Sequence, residues 1–309
     1  MLTLTNGGGT HTFIGITFTN MQGRAIQAGN TVVFNSCTFA QYNSNQNGAA
    51  FYSDQSKVYT FNSCQFLGIT STGGGVVTLN SVTSASFTNC VFANLTSTTI
   101  SAGITTYFGP SITVSGCSFT DLSGGDGSAL KIDWGETSVS SSTFTRCRGN
   151  TGGAINKANY NTITVVDSTF SDCGSPTATG GAIYSTTTTV VRRCSFTDFT
   201  NFVGNSNIYA ILRITWDATV DNCLFARIYT TGQRAVLNHE GGSSITFSNV
   251  LIDTVTEREK CVYFAANAAV TMNNVTWRHI YQENANGCAF TLRSGSIQAS
   301  NLFVEVIPD

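Results

Sequence analysis

The sequence predicts an all-β solenoid of about twelve stacked coils, three short strands to a coil, forming a single domain over residues 1–309. Three observations lead there. One hydrophobic pattern returns about every 26 residues, its inner periodicity is two, and the ten cysteines fall into couples about one repeat apart. Aligned on one anchor, the repeats are Phe18, Phe39, Phe66, Phe92, Phe119, Phe144, Phe170, Phe196, Phe225, Ile252, Trp277 and Val304, with gaps of 21 to 29 residues. No segment is left over for a second domain.

The first strand of each repeat lies ahead of the anchor. Five and seven residues before it stand apolar pairs such as Val32/Phe34, Ile112/Val114, Ile163/Val165, Ile245/Phe247 and Val270/Met272, with polar residues between. That alternation describes a strand with one buried face. Three residues before the anchor comes a turn former: Asn89, Asn222, Asn249, Asn274, Asn301, or Ser and Gly elsewhere. Asn and Gly tolerate the left-handed backbone that a tight bend between strands requires. The next strand carries the anchor and is apolar again three residues on, at Met21, Ile69, Leu95, Leu122, Phe199, Ile228, Val255 and Ile280. After a variable loop the last strand opens on a small residue and a large one, as in Ala25-Ile26, Ala50-Phe51, Ala129-Leu130, Ala154-Ile155, Ala182-Ile183, Ala235-Val236 and Ala289-Phe290. With 30 glycines, 21 phenylalanines and only 10% charged residues, the composition opposes a helical solenoid, which draws on Ala, Leu, Glu and Lys.

This coil resembles the right-handed parallel β-helix of the pectin-lyase-like superfamily over essentially the whole chain, right-handedness being the general rule for parallel crossovers. Two GGAI segments, Gly152–Ile155 and Gly180–Ile183, are similar to the repeats of polymorphic outer-membrane autotransporter proteins. Those repeats pair GGAI with FxxN, and here the third residue after the phenylalanine is apolar or Cys. The superfamily's polysaccharide hydrolases carry NTD, GHG and RIK motifs, none of which occurs in this sequence.

The cysteine couples are Cys37/Cys64, Cys90/Cys117, Cys147/Cys173, Cys194/Cys223 and Cys261/Cys288. Cysteine as a small core filler is the plain reading of a ladder. However, the cysteines change column two at a time, which cross-links between neighbouring coils require and filler does not. In-register residues about 4.8 Å apart fall within reach of a disulfide. Each bridge would close a loop of about 27 residues, worth roughly 3.5 kcal/mol. Five bridges predict an oxidising setting, extracellular or at the cell surface. There is no CxxC, and His11, His239 and His279 are not spaced with cysteines as zinc ligands, so no metal or other cofactor is expected. The opening MLTLTNGGGTHTF is not a signal peptide, so the expectation is a mature form or a portion of a precursor. No stretch is long and apolar enough to span a membrane as a helix. Asn94 and Asn274 begin N-glycosylation tripeptides.

Net charge is −2, which gives no reason to expect nucleic acid as a partner. Two residues after the anchor, consecutive coils carry Arg146, Asp172, Asp198 and Arg227, with Asp121 one coil before Arg146. Stacked carboxylates suit a retaining glycosidase or calcium binding in a lyase; alternating charges suit a neutralised surface ladder. The second ladder, Asp167, Arg192/Arg193 and Asp221, has the same alternation. The ladder reading is taken, with no catalytic residue assigned and Lys131, Lys157 and Arg213 noted as the cations on strand faces. Phe202, Tyr209 and Trp216, in the longest coil, are candidate contacts for a glycan or a partner.

Both ends read as open. Leu2-Thr3-Leu4-Thr5 and Val304-Glu305-Val306-Ile307 are strand-like, no capping helix is predicted, and Pro308 is the only blocking residue, so either the rod continues in flanking sequence or copies stack head to tail. Outward-leaning Leu224, Leu251 and Phe303 suggest lateral contacts. Together these readings point to an extracellular structural rod that stacks head to tail into a surface fibre. A glycan-binding adhesin segment is the alternative, and a polysaccharide lyase or hydrolase the second.

Overall fold

The computed structural model describes residues 1–5, 7–174, 181–202, 210–230, 234–241, 243–257, 260–264, 267–282 and 288–308. All of its regular structure is β, and every strand pairing is parallel. Twelve strands, from Leu2–Leu4 through Ile26–Ala28 and on to Cys288–Leu292, form a first sheet with one strand per coil. A second sheet of 21 strands carries the two remaining strands of each coil, for example Thr31–Asn35 and Thr38–Ser44.

The bend between those two strands is set by one residue per coil. In all twelve coils the position three before the anchor has positive φ, from Gly15 (64°) and Ser36 (53°) to Asn274 (54°) and Asn301 (51°). A second left-handed position, two after the anchor, recurs from Asn20 and Gln41 through Asp172 (49°) and Asp198 (64°) to His279 (52°). It kinks the anchor strand and lets residues on both sides of it, such as Phe39 and Tyr42, face inward. Three strands per coil holds as far as Leu224–Thr230. In the last three coils the two strands of the second sheet fuse into Ser244–Glu257, Ala268–Gln282 and Gly295–Pro308; the first two keep both left-handed residues and the last keeps only Asn301.

The anchors make the spine of the core. Nine phenylalanines from Phe18 to Phe225 stack with ring centroids 4.5–5.1 Å apart and planes within 10°. A second column runs Phe13, Phe34, Phe61, Phe87. The first sheet contributes the small–large pairs, with Ala25, Ile26, Ala129, Leu130, Ala154 and Ile155 all wholly buried. Glycine is obligatory in the GGAI corner: a Cβ on Gly153 would stand 2.2 Å from Gly174 N and Gly181 O. Such a strict one-coil period makes each coil contact only its neighbours.

Candidate functional site

The sites suggested by the sequence resolve differently once the coils are stacked. The polar column two after the anchor is first a backbone requirement, since each member occupies the left-handed region. Its charges then pair across coils. Arg146 grips Asp121 with two bonds (2.5 and 2.8 Å), and Arg227 grips Asp198 likewise (2.6 and 2.8 Å). Asp172 accepts from Arg148 at 2.7 Å. In the neighbouring ladder Arg193 grips Asp167 (2.6 and 2.8 Å), and Asp221 accepts from Asn249. Bonds from their arginines hold the Asp121, Asp167 and Asp198 carboxyls below the usual carboxylate range. Of the cations noted in the sequence, Lys131 pairs with Asp133 and Arg213 with Glu240, both at 2.8 Å. Among the described residues no group of three His, Cys, Asp or Glu is placed to hold a metal.

The cysteines form a column. Backbone hydrogen bonds between successive coils place Cys37, Cys64, Cys90 and Cys117 one above another, followed by Ser142 and Ser168, then Cys194 and Cys223. Cys147 shifts into the core column of Leu122, with Cys173 above it. Among the eight cysteines from Cys37 to Cys223 the bridges expected from the sequence are not formed here, and all eight are buried thiols. They have partners without oxidation, as Cys64 Sγ donates to Asn62 O (3.4 Å) and Phe34 O (3.6 Å). The column also runs on without a break between couples, because Cys90 touches Cys117 and Cys64 alike, and these contacts, with burial, push its thiol above the usual range. The fifth couple needs correcting. Lys260 stands opposite Cys288 and Val262 opposite Phe290, so Cys261 faces Ala289, one residue out of register with Cys288. Residues here recur after 28 positions, not 27.

Both acceptor asparagines are exposed and left-handed, and Asn274 already donates to Asn249 Oδ1 at 3.0 Å. Leu224 and Leu251 are half-buried against each other in register, while Phe303 is 56% exposed. Of the three aromatics proposed for ligand contact, the Phe202 side chain and Tyr209 lie outside the described residues. Trp216 is 56% exposed.

Trp216 has company that the sequence reading missed. The turn leaving the first sheet carries Phe108 after Ile104–Tyr107, Trp134 after Leu130–Ile132, Tyr160 after Ile155–Lys157, Thr187 after Ile183–Ser185 and Trp216 after Leu212–Ile214. Four of five consecutive coils thus present an aromatic on one edge of the rod, with Phe108 67%, Trp134 36% and Tyr160 70% exposed. At one coil per ~4.8 Å the row is about 19 Å long. The Trp134 and Tyr160 rings adjoin, with centroids 5.0 Å apart. Phe108 sits at φ 56°, in the turn that leaves the Ile104–Tyr107 strand. Between Tyr160 and Trp216 lies a cleft of about 430 Å³, lined by Asn159, Tyr160, Asn161, Thr162, Thr186, Thr187, Thr188 and Trp216.

Two buried side chains secure this edge from inside. Lys157 and His239 occupy one inward column of the first sheet, running Lys157, Ser185, Ile214, His239. Lys157 Nζ donates to the carbonyls of Ala158 (3.2 Å) and Tyr160 (2.8 Å). Burial lowers its pKa to about 8. His239 Nε2 lies 3.1 Å from the Trp216 carbonyl, which can only accept, so this nitrogen carries the proton. Burial favours the neutral ring.

Comparison with known proteins bears on the scaffold. The model of a family described as a right-handed β-helix region matches residues 41–196, half of the chain. The chain belongs to the right-handed β-helix family. Neither the curated proteins nor the solved structures return a match. Membership fixes how this β-helix is built and leaves its chemistry to the residues on its surface.

Proposed function

We propose that this β-helix is a non-catalytic rod outside the cell that holds a polysaccharide against the aromatic edge formed by Phe108, Trp134, Tyr160 and Trp216. The axial row of exposed rings carries the reading, since aromatic faces presented in line suit the apolar faces of successive sugar rings. The absence of catalysis is supported by the carboxylates. A retaining glycosidase needs one protonated carboxyl beside an ionised one, whereas Asp172 and Asp198 are each drawn to an arginine. A glycan array probed with the chain and with the Trp134→Ala/Trp216→Ala double variant tests the function. Binding lost in the variant supports it; no binding by the parent, or release of unsaturated products absorbing in the ultraviolet, refutes it.

Cross-links belong to the same proposal. Cys37/Cys64, Cys90/Cys117, Cys147/Cys173 and Cys194/Cys223 are neighbours on adjacent coils and suited to oxidation outside the cell. Non-reducing peptide maps that recover these cysteines only as free thiols would remove that element. Asn94, exposed and without a side-chain hydrogen bond among the described residues, is the acceptor favoured for glycosylation, whereas the Asn274 amide is engaged with Asn249.

End-to-end assembly is a second reading, favoured by the end coils. Leu4, Phe13, Phe18 and Met21 at one end, and Phe290, Leu292, Ile297 and Leu302 at the other, pack on the core yet stay partly uncovered. Covering them with a second copy gives a heterologous contact that propagates into a filament. Negative-stain images should show filaments with an axial repeat near one rod length, and a monodisperse monomer would refute this.

A further inference from the structure

Which polysaccharide the edge selects follows from its charges, if the glycan reading above holds. We infer that the ligand is an uncharged, extended polysaccharide whose chain runs parallel to the rod axis across Trp134, Tyr160 and Trp216, with one sugar seated in the cleft between Tyr160 and Trp216.

Neutrality comes first. The cleft is lined by two asparagines, four threonines, a tyrosine and a tryptophan, with no ionisable acid or base other than the phenol. Of the ionisable groups nearby, the exposed Glu136 adds a negative charge, which repels an anionic chain, and the others are committed elsewhere. Lys157 Nζ is buried beneath the cleft on two carbonyls. Asp133 is paired with Lys131, and Glu240 with Arg213. Asp217 accepts from Ser244 N (2.9 Å) and Oγ (3.0 Å). A uronic acid chain presents a carboxylate on every sugar, and burying it without a cationic partner is costly. The same argument disfavours single-stranded nucleic acid, whose binding combines stacking with a positive groove. Amides and hydroxyls, by contrast, match the donors and acceptors of neutral sugars.

Direction comes from the coil spacing. Trp134 and Tyr160 occupy successive coils, while Tyr160 and Trp216 are two coils apart, about 10 Å along the axis. That is of the order of a disaccharide, so the rings can meet alternate residues of a chain lying along the axis. A chain crossing the rod would meet only one of them.

The edge is also rigid. Lys157 and His239 fasten the Tyr160 and Trp216 carbonyls from within the core. Preorganised aromatics lose little freedom on binding.

The test is affinity electrophoresis of the whole chain through gels containing mixed-linkage β-glucan, xylan, galactomannan or polygalacturonate, at low and high salt. The inference expects retardation by at least one neutral polymer, unchanged by salt. Trp134→Ala and Trp216→Ala should each weaken it about tenfold, a change of about 1.4 kcal/mol. Both side chains are substantially exposed, and thermal melts should confirm that the variants stay folded. Retardation by polygalacturonate alone, falling with salt, overturns neutrality while leaving glycan binding intact. Equal weakening by His11→Ala, on the far first coils, overturns the placement. Failure to bind any of the four polymers when the glycan array is positive overturns the substrate class. Failure in both refutes the function itself, as would binding of an oligothymidylate at the same edge.

Discussion

Replacing Phe119 with alanine probes the spine of the molecule. Phe119 is wholly buried between Phe92, 4.7 Å away with planes at 10°, and Phe144, 4.9 Å away at 1°. Truncating a core phenylalanine costs about 3–5 kcal/mol. Each stacked contact adds about 0.5–1.5 kcal/mol beyond area. With both faces occupied, and flanking strands that leave little room for collapse, the expected loss is about 4–5 kcal/mol. Phe18 is the internal control. It has one stacked neighbour, Phe39 at 4.8 Å, and is only partly buried, so Phe18→Ala should cost about half as much. Urea unfolding followed by fluorescence of the buried Trp277 measures both, with the slope checked because stacked repeats can unfold in stages. A loss below about 2 kcal/mol for Phe119→Ala, or equal losses at the two sites, would refute the claim that continuous stacking stabilises the rod.

Three further outcomes follow from the polar groups. Asp198→Asn, at a well-exposed pair with Arg227, should change stability by no more than about 1 kcal/mol in thermal melts, and a larger loss would mean that the ladder is more than a solvated surface. Asp253 titrates at about 2: burial opposes its charge, but bonds from Arg278, His279 and Thr254 outweigh it. Its depressed folded pKa contributes stability that is complete above the unfolded value of about 3.9 and lost as pH falls towards 2, so Asp253→Asn should flatten the acid limb of stability between those pH values. Lys157 has the opposite sign. Burial lowers its pKa to about 8 against about 10.4 unfolded, so the cost of its buried charge is full below pH 8 and relieved as pH rises to 10.4; Lys157→Met should abolish that rise, and an unchanged pH profile would show that the ammonium is not buried in solution.

The scaffold was legible because its period is short and its special positions are chemically marked. Asn89, Asn222, Asn249, Asn274 and Asn301 announce the left-handed bend, and the phenylalanine anchors announce the spine. The second left-handed position was read as chemistry because its occupants are so varied. Gln41, Arg146, Thr254 and His279 are not turn formers, so the backbone demand they share is invisible until φ is known. Cys261 and Cys288 misled for a related reason, since one extra residue in the coil moves the register while the 27-residue spacing stays attractive. The aromatic edge escaped because it follows the first sheet through turns of variable length, whereas the alignment was tied to anchors on the second. Its signal was present in Phe108-Gly109-Pro110 and Trp134-Gly135, large apolar side chains set among residues that end strands. Trp216 alone was found, through the length of its coil.

Because a coil touches only the one below and the one above, the molecule is modular in whole turns. Splicing in one complete turn after Ile183–Ser185 would leave every ladder aligned and push Tyr160 and Trp216 one step further apart, widening the span open to the proposed glycan. Removing the turn that contains Thr187 would bring them into contact. Selection by duplication and loss can therefore adjust the spacing of these rings in increments of about 4.8 Å without redesigning the core, as a vernier is moved by whole marks.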